Sequence, residues 1–143
     1  MNFASLAAVA LTLALPAIAQ TTETLSYDTT YDDASLSLTA VACSDGPNGL
    51  ITKGYTTLGS LPTFPNVGGV YTVTGWNSAA CGTCYSVTYA NSQSIFVLAV
   101  DVALEGFNLS EEAMDALTGG QAANLGRVDV TVVPVDASLC GLN

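Results

Sequence analysis

The sequence predicts a mainly β protein with one or two short helices, and three kinds of pattern support this. The strongest is the apolar run at 94–101, which is rich in β-branched residues and ends in one carboxylate, Asp101. Such a run is too short for a typical helix and predicts a strand buried on both faces. Frequent glycine and proline between 54 and 69 predict an ordered irregular connection. Alternation and β-branched residues predict further strands at 35–41, 70–74, 85–89 and 127–133.

One short helix is predicted after the buried strand. Asn108 is placed to cap it, with Glu111 at the capping-box spacing three residues later. Gly119 and Gly120 end the predicted helix. Apolar residues share one face of it, at Leu109, Ala113, Met114 and Leu117.

The N-terminal segment, residues 1–19, predicts a secretory signal peptide. It is apolar and almost uncharged from Phe3 to Leu15, then reaches Pro16 and a small-x-small site that ends at Ala19. Cleavage after Ala19 leaves 20–143 as a single secreted domain, of which 20–24 is predicted to be a loosely ordered lead-in. A membrane anchor requires about 18 or more apolar residues, and no segment reaches that length.

The charge balance restricts the partners of the chain. Twelve acidic residues stand against two basic ones, Lys53 and Arg127, which gives a net charge of −10 at pH 7. Nucleic-acid binding depends on clustered lysine and arginine, so this class of partner is excluded. Anionic lipid surfaces are disfavoured for the same reason. Neutral or cationic partners remain, such as a sugar polymer, a surface or a receptor.

Four cysteines in an exported chain predict two disulfides: Cys43, Cys81, Cys84 and Cys140. All three pairings are compatible with the sequence. A zinc site is not predicted, because only Cys81 and Cys84 form a close pair and the chain has no histidine. A redox role for that pair is disfavoured by the signal peptide and by the absence of a βαβ pattern. No cofactor is predicted.

The candidate site centres on Asp101. Its carboxylate lies between Val100 and Val102, where an unpaired charge is costly, so the residue is either a hydrogen-bonded structural group or a functional one. The turn-rich loop 43–49 presents hydroxyl, carboxylate and amide groups together. Tyr27 beside Asp28 is a second pattern, which is typical of sugar binding and also of an amphipathic rim.

Catalysis is disfavoured by the residue types present. The absence of histidine excludes Ser-His-Asp and Cys-His nucleophilic sites. A glycosidase needs two carboxylates, about 5 to 5.5 Å or roughly 6.5 to 9.5 Å apart. Asp101 can supply one, and no spacing singles out a second among Glu105, Asp45 and Asp129. The prediction is therefore binding without catalysis, with weak glycoside hydrolysis as an alternative.

Several motifs together resemble the cerato-platanin family of small secreted fungal proteins. The resemblance runs from about Ser26 to Cys140 and includes all four cysteines. It is carried by the stretches 26–28, 43–50, 64–69, 81–84, 100–101, 106–108 and 126–129. The resemblance implies a six-stranded double-psi β-barrel, as in expansins, and the disulfides Cys43–Cys81 and Cys84–Cys140.

The resemblance also implies a function. Family members are non-enzymatic, extracellular or wall-associated proteins that bind chitin-type oligomers of N-acetylglucosamine or other wall polysaccharide. They loosen polysaccharide in an expansin-like way, are perceived by plants as defence elicitors, with a plant receptor as a partner, and self-assemble at interfaces. A surface-active structural protein is therefore the alternative to a sugar-binding one.

The family's groove residues map onto this chain. The groove aspartate corresponds to Asp101, and the Cys-Ser-Asn-Gly loop corresponds to Cys43, Ser44, Asp45 and Gly46, so an aspartate replaces the asparagine. The Gly-rich segment after the groove aspartate is replaced by the bulkier 102–105. The sugar-binding candidates are Asp101, Ser44, Asp45 and Gly46, with Asn108 and Tyr27 as weaker ones.

Overall fold

Six strands close into one barrel in the computed structural model, which describes residues 20–143 and Ala10. The predicted signal peptide therefore lies outside the described residues except for Ala10. The strands are β1 (Thr21–Tyr27), β2 (Val67–Val70), β3 (Cys84–Thr88), β4 (Ile95–Val102), β5 (Phe107–Leu109) and β6 (Arg127–Val135). Their order around the barrel is β1-β5-β2-β4-β3-β6. This confirms the mainly β, six-stranded prediction.

The barrel mixes parallel and antiparallel pairs. β1 runs parallel to β5, and β2 runs parallel to β4. The remaining four neighbouring pairs are antiparallel. The predicted central strand is confirmed as β4, whose residues Val97, Leu98, Ala99 and Val100 are fully buried. Alternate side chains of this strand therefore pack on both of its faces, and Asp101 follows at the point where burial ends.

The two disulfides pair as the family resemblance implies. Cys43 bonds to Cys81 and Cys84 bonds to Cys140, across sequence separations of 38 and 56 residues. Closing loops of this length stabilises the folded state by about 4 kcal/mol each in the chain-entropy model. The first disulfide joins the loop after Cys43 to the segment that precedes β3.

The predicted helix is present, but its start is two residues later than predicted. α1 spans Glu111–Thr118, and Ser110 caps it by accepting a hydrogen bond from the Ala113 amide at 3.0 Å. The prediction of Asn108 as the helix cap is wrong, because β5 keeps the backbone extended through Leu109. Gly119 ends the helix in the left-handed conformation, as predicted.

A second helix, α2, spans Ala122–Leu125. Between residues 20 and 143 there is no helix with the length and apolarity needed to cross a bilayer.

Two strand predictions and the predicted loose lead-in require correction. The segment 35–41 is a 3-10 helix at Leu38–Ala40, because the Ser37 hydroxyl accepts from the Thr39 amide and turns the chain. The lead-in 20–24 is predicted to be loosely ordered, but its residues 21–24 belong to β1, which pairs with β6 from Thr21 to Ser26. Its polar residues are exposed at this end of the strand, which is why no apolar pattern marks it.

The strand predicted at 70–74 lies at Val67–Val70 instead. Its two central residues are glycines, which are usually weak in strands. A Cβ atom on Gly68 would lie 2.3 Å from the Asn108 carbonyl oxygen, and one on Gly69 would lie 2.6 Å from the Val102 carbonyl oxygen. Neighbouring strands therefore approach too closely for a side chain here. The strands predicted at 85–89 and 127–133 are confirmed as β3 and β6.

Candidate functional site

A row of polar groups crosses four adjacent strands on the outside of the barrel. Ser26 lies opposite Asn108, Asn108 lies opposite Gly69, and Gly69 lies opposite Asp101. Residues paired in this way point to the same face of a sheet. We call these four residues the polar row. Ser26, Asn108 and Asp101 supply its polar side chains. The Ser26 hydroxyl donates to the Asn108 Oδ1 atom at 3.1 Å, and the buried Gly69 lies between Asn108 and Asp101 in the sheet.

The Asp101 carboxylate is held by three donors. The Tyr31 hydroxyl donates to Oδ2 at 2.9 Å, and the backbone amides of Ala42 and Val102 donate to Oδ1 at 3.0 and 2.9 Å. These bonds compensate for the half-burial of the charge. A carboxylate has about four acceptor positions, so one remains for a ligand. The residue is thus structurally satisfied and still able to bind.

Tyr31 reaches Asp101 from the 3-10 helix at Thr29–Asp32. Its side chain is only 6% exposed, and burial followed by the charge of Asp101 raises the pKa of the phenol, so that it stays a proton donor. The next residue, Asp32, accepts hydrogen bonds from the amides of Glu111 and Glu112 at 2.9 and 3.0 Å. The segment that positions Tyr31 is therefore anchored on the start of α1. The sequence patterns assigned no such role to these two residues.

The loop after Cys43 forms a second part of the site. Ser44 is 8% exposed and its hydroxyl donates to the Asp45 Oδ1 atom at 3.3 Å. The same oxygen accepts from the Trp76 Nε1 atom at 2.6 Å, and this bond lowers the pKa of Asp45. Beside them is a depression of about 350 Å³, lined by Thr39, Ser44, Asp45 and Ile51.

Gly46 adopts φ +82°, a conformation that side chains rarely take. A Cβ atom there would also lie 2.9 Å from the Asn77 Oδ1 atom. Gly46 therefore acts through the shape of the loop and has no side chain to offer to a ligand.

Asn108 borders a wider depression of about 460 Å³. Its other lining residues are Ser26, Val102, Ala103, Leu104, Glu105 and Arg127. Leu104 is fully exposed, and Arg127 lies 3.5 Å from Glu105 in an ion pair that is itself exposed. Such a pair adds little to stability. The bulkier 102–105 segment thus forms one rim of the polar row.

The structure brings most of the predicted site residues together. Asp101 and Asn108 flank Gly69, and the Ala42 amide connects Asp101 to the loop that carries Ser44 and Asp45. Tyr27 does not join them, because it follows Ser26 on the strand and packs against the core.

The three acidic residues considered as the second carboxylate of a glycosidase do not lie beside Asp101 in a shared hydrogen-bond network. Asp45 bonds to Trp76, Glu105 pairs with Arg127, and Asp129 is exposed on β6 opposite Thr24. None of the hydrogen bonds described for residues 20–143 connects them to Asp101. Over the same residues, no three His, Cys, Asp or Glu side chains come together as metal ligands do.

These features define a class of protein. It is a small, disulfide-bonded β-barrel whose outer face carries a shallow polar groove, formed by the polar row and the loop after Cys43. The family model for cerato-platanin matches residues 23–142. The chain belongs to the cerato-platanin family.

Individual proteins agree with this assignment. The chain is 52% identical over 147 residues to the "Heat-stable 19 kDa antigen" of Coccidioides immitis, with 99% of both chains covered. The crystal structure of cerato-platanin 3 from M. perniciosa is similar with a TM-score of 0.82 and 54% identity, covering 85% of this chain and all of that one.

A variant of the Clavibacter michiganensis expansin, crystallised in complex with cellohexaose, shares the fold. It has a TM-score of 0.57 and 21% identity, covering 82% of this chain and 51% of the expansin. The barrel is therefore of the expansin-like double-psi type. Its two disulfides fit an extracellular protein.

Proposed function

We propose that the protein binds chitin-type polysaccharide in the polar row and the adjoining loop 43–46, without cleaving it. The observation that carries the proposal is the Asp101 carboxylate, which three protein donors orient while one acceptor position stays free. A group that is held in place before the ligand arrives loses little conformational freedom on binding.

The groups in the groove match an N-acetylated sugar. Its amide N–H and hydroxyls are donors for Asp101, and its acetyl carbonyl is an acceptor for a side-chain amide. Asn108 uses its Oδ1 atom to accept from Ser26, and its Nδ2 atom makes none of the hydrogen bonds described in the structure. Two N–H donors of Asn108 are therefore available to the ligand. A neutral polymer also meets no repulsion from the net charge of −10.

The fold relative supports a polysaccharide ligand in general terms. The expansin was crystallised with cellohexaose, so a protein that contains this fold binds a polymer fragment of linked sugars. Both depressions at the polar row and the loop are open, which suits a chain that runs over the surface.

We also propose that the protein is secreted, acts at the cell wall and loosens its polysaccharide. Binding can separate polysaccharide chains by replacing the hydrogen bonds between them, and this requires no bond cleavage. Recognition by a plant receptor as an elicitor is part of the same proposal, since an exported protein meets the host directly.

The test is isothermal titration calorimetry with the N-acetylglucosamine hexamer. Asp101→Asn keeps an oxygen acceptor for the backbone amides of Ala42 and Val102, so this variant is expected to fold. Loss of a charged hydrogen bond predicts affinity about 10- to 100-fold weaker. Asp129→Asn removes the same charge from β6 and is expected to bind like the wild type. Equal affinity of all three proteins would contradict the proposal.

Hydrolysis is checked in the same samples. We expect no release of reducing ends from chitin or cellulose. Release by the wild type that is lost in Asp101→Asn would instead establish a glycoside hydrolase.

A surface-active role is the second candidate, and exposed apolar side chains favour it. Leu104 is fully exposed, Trp76 is 64% exposed and Leu139 is 50% exposed. Surface tension distinguishes the two functions, because Asp101→Asn is expected to leave surface activity unchanged while it weakens sugar binding. Leu104→Ser is expected to reduce surface activity if this second function holds.

A further inference from the structure

The only tryptophan of the chain lies on the surface. Trp76 is 64% exposed, although a ring of this size normally contributes to a core or an interface. Its Nε1 atom donates to the Asp45 carboxylate at 2.6 Å, a short charge-assisted bond that fixes one edge of the indole. The ring is therefore held in place while most of its surface faces solvent.

The loop around Trp76 is joined to the loop around Asp45. The Asn48 amide donates to the Asn77 Oδ1 atom at 2.9 Å, and the Asn48 Nδ2 atom donates to the Asn77 carbonyl at 3.1 Å. Asn77 has φ +56°, which costs free energy unless the surrounding structure enforces it. The Cys43–Cys81 disulfide encloses both loops. The position of the indole is thus determined by several independent contacts.

Gly46 shows how closely the two loops approach. The nearest atoms to a Cβ placed there belong to Asn77 and Trp76, at 2.9 and 3.1 Å. Only glycine at position 46 lets the loop backbone lie this close to the Asn77 side chain and the indole. A rigid, exposed aromatic ring with few freely rotating bonds is well suited to binding, because little entropy is lost on contact.

We propose that Trp76 and Asp45 form a sugar-stacking subsite that extends the Asp101 groove. Its ligand is one ring of a β-linked pyranose polysaccharide, whose apolar C–H face packs on the indole. The Oδ1 atom of Asp45 already accepts from Trp76 and Ser44. The Oδ2 atom takes part in none of the described hydrogen bonds and accepts from a sugar hydroxyl.

The spacing of the two parts allows one oligosaccharide to contact both. The Ala42 amide donates to Asp101, and Asp45 is the third residue after Ala42 in the sequence. Their Cα atoms therefore lie at most about 11 Å apart. The lowered pKa of Asp45 keeps this acceptor ionised at neutral and mildly acidic pH. The inference rests on the proposed function and adds a second contact to it.

The test uses the fluorescence of Trp76, which is the sole indole emission of the protein. Titration of the wild type with the N-acetylglucosamine hexamer is expected to shift or quench this emission. The midpoint is expected to agree with the dissociation constant from calorimetry.

Calorimetry on variants completes the test. Trp76→Ala is expected to bind the hexamer about 10-fold more weakly, while Trp76→Phe keeps most of the affinity. Leu139→Ala removes an exposed apolar side chain elsewhere and is expected to bind like the wild type. Circular dichroism checks that each variant is folded, and the wild-type fluorescence titration is independent of any variant.

The outcomes separate the two proposals. Wild-type binding with unchanged emission, and unchanged affinity of Trp76→Ala, would overturn the stacking subsite and leave the Asp101 groove in place. Absence of any binding by the wild type would overturn the proposed function and the subsite together.

Discussion

The hydrogen bond from Tyr31 to Asp101 should contribute measurably to stability. Tyr31→Phe removes the hydroxyl that donates to the Asp101 Oδ2 atom at 2.9 Å and keeps the buried ring. Hydrogen bonds to charged groups contribute about 1.5 to 3 kcal/mol. Because water reaches the half-buried carboxylate, we expect the lower end, about 1.5 kcal/mol of unfolding free energy. For a domain of this size that is a decrease in Tm of about 6 °C.

Urea denaturation followed by circular dichroism measures the effect. Tyr55→Phe is the matched control, since the Tyr55 hydroxyl appears in none of the described hydrogen bonds, and it is expected to change stability by less than about 0.5 kcal/mol. In an Asp101→Asn background the cost of Tyr31→Phe should fall, because the charged acceptor is gone. Equal stability of the two phenylalanine variants would refute the assigned role of Tyr31.

The same bond predicts a pH dependence. In the unfolded chain Tyr31 loses its proton near the ordinary tyrosine pKa of 10.0, whereas the folded protein raises the pKa and retains the proton. The unfolded state then binds fewer protons, so stability is complete below about pH 10 and declines above it. Tyr31→Phe should make this alkaline decline shallower. Part of it should remain, because burial also raises the pKa of Tyr85.

Three further predictions concern the elements around the site. Gly69→Ala should cost about 1 to 3 kcal/mol in urea denaturation, because its Cβ would lie 2.6 Å from the Val102 carbonyl oxygen. The Trp76 bond lowers the pKa of Asp45 from its ordinary value, so Trp76 emission should be constant at neutral and mildly acidic pH and change only in strong acid. Asp45→Asn should abolish this acid titration, and its persistence would contradict the assignment. Asp32→Ala should cost about 1 kcal/mol, measured by thermal unfolding, because it leaves two amides at the start of α1 without their acceptor.

Local sequence patterns predicted the fold where one residue type dominates a short segment. The apolar run before Asp101 became β4, and Gly119 ended α1 as expected. Local patterns failed where the structure of a segment depends on the strands that pair with it. The strand containing Gly68 and Gly69 has no strand-like composition, because close approach of Asn108 and Val102 requires glycine. The disulfide pairing came from the family resemblance and not from spacing.

The sequence predicted the central residue of the candidate site, but not the residues that donate hydrogen bonds to it. Asp101 was identified from its position after a buried strand. Its donors Tyr31 and Ala42 are 70 and 59 residues away in sequence, and no local pattern can connect them. The same holds for Trp76, which meets Asp45 across 31 residues. An isolated tryptophan next to Gly75 is equally compatible with a core position, so its exposure required the structure.

An amide NMR titration with the N-acetylglucosamine hexamer tests the central claim most directly. The proposed groove predicts saturable shifts at Gly69, Asp101 and Asn108 and in the loop 44–46. Shifts that are absent there, or that are confined to the depression beside Phe96 and Leu139, would contradict it.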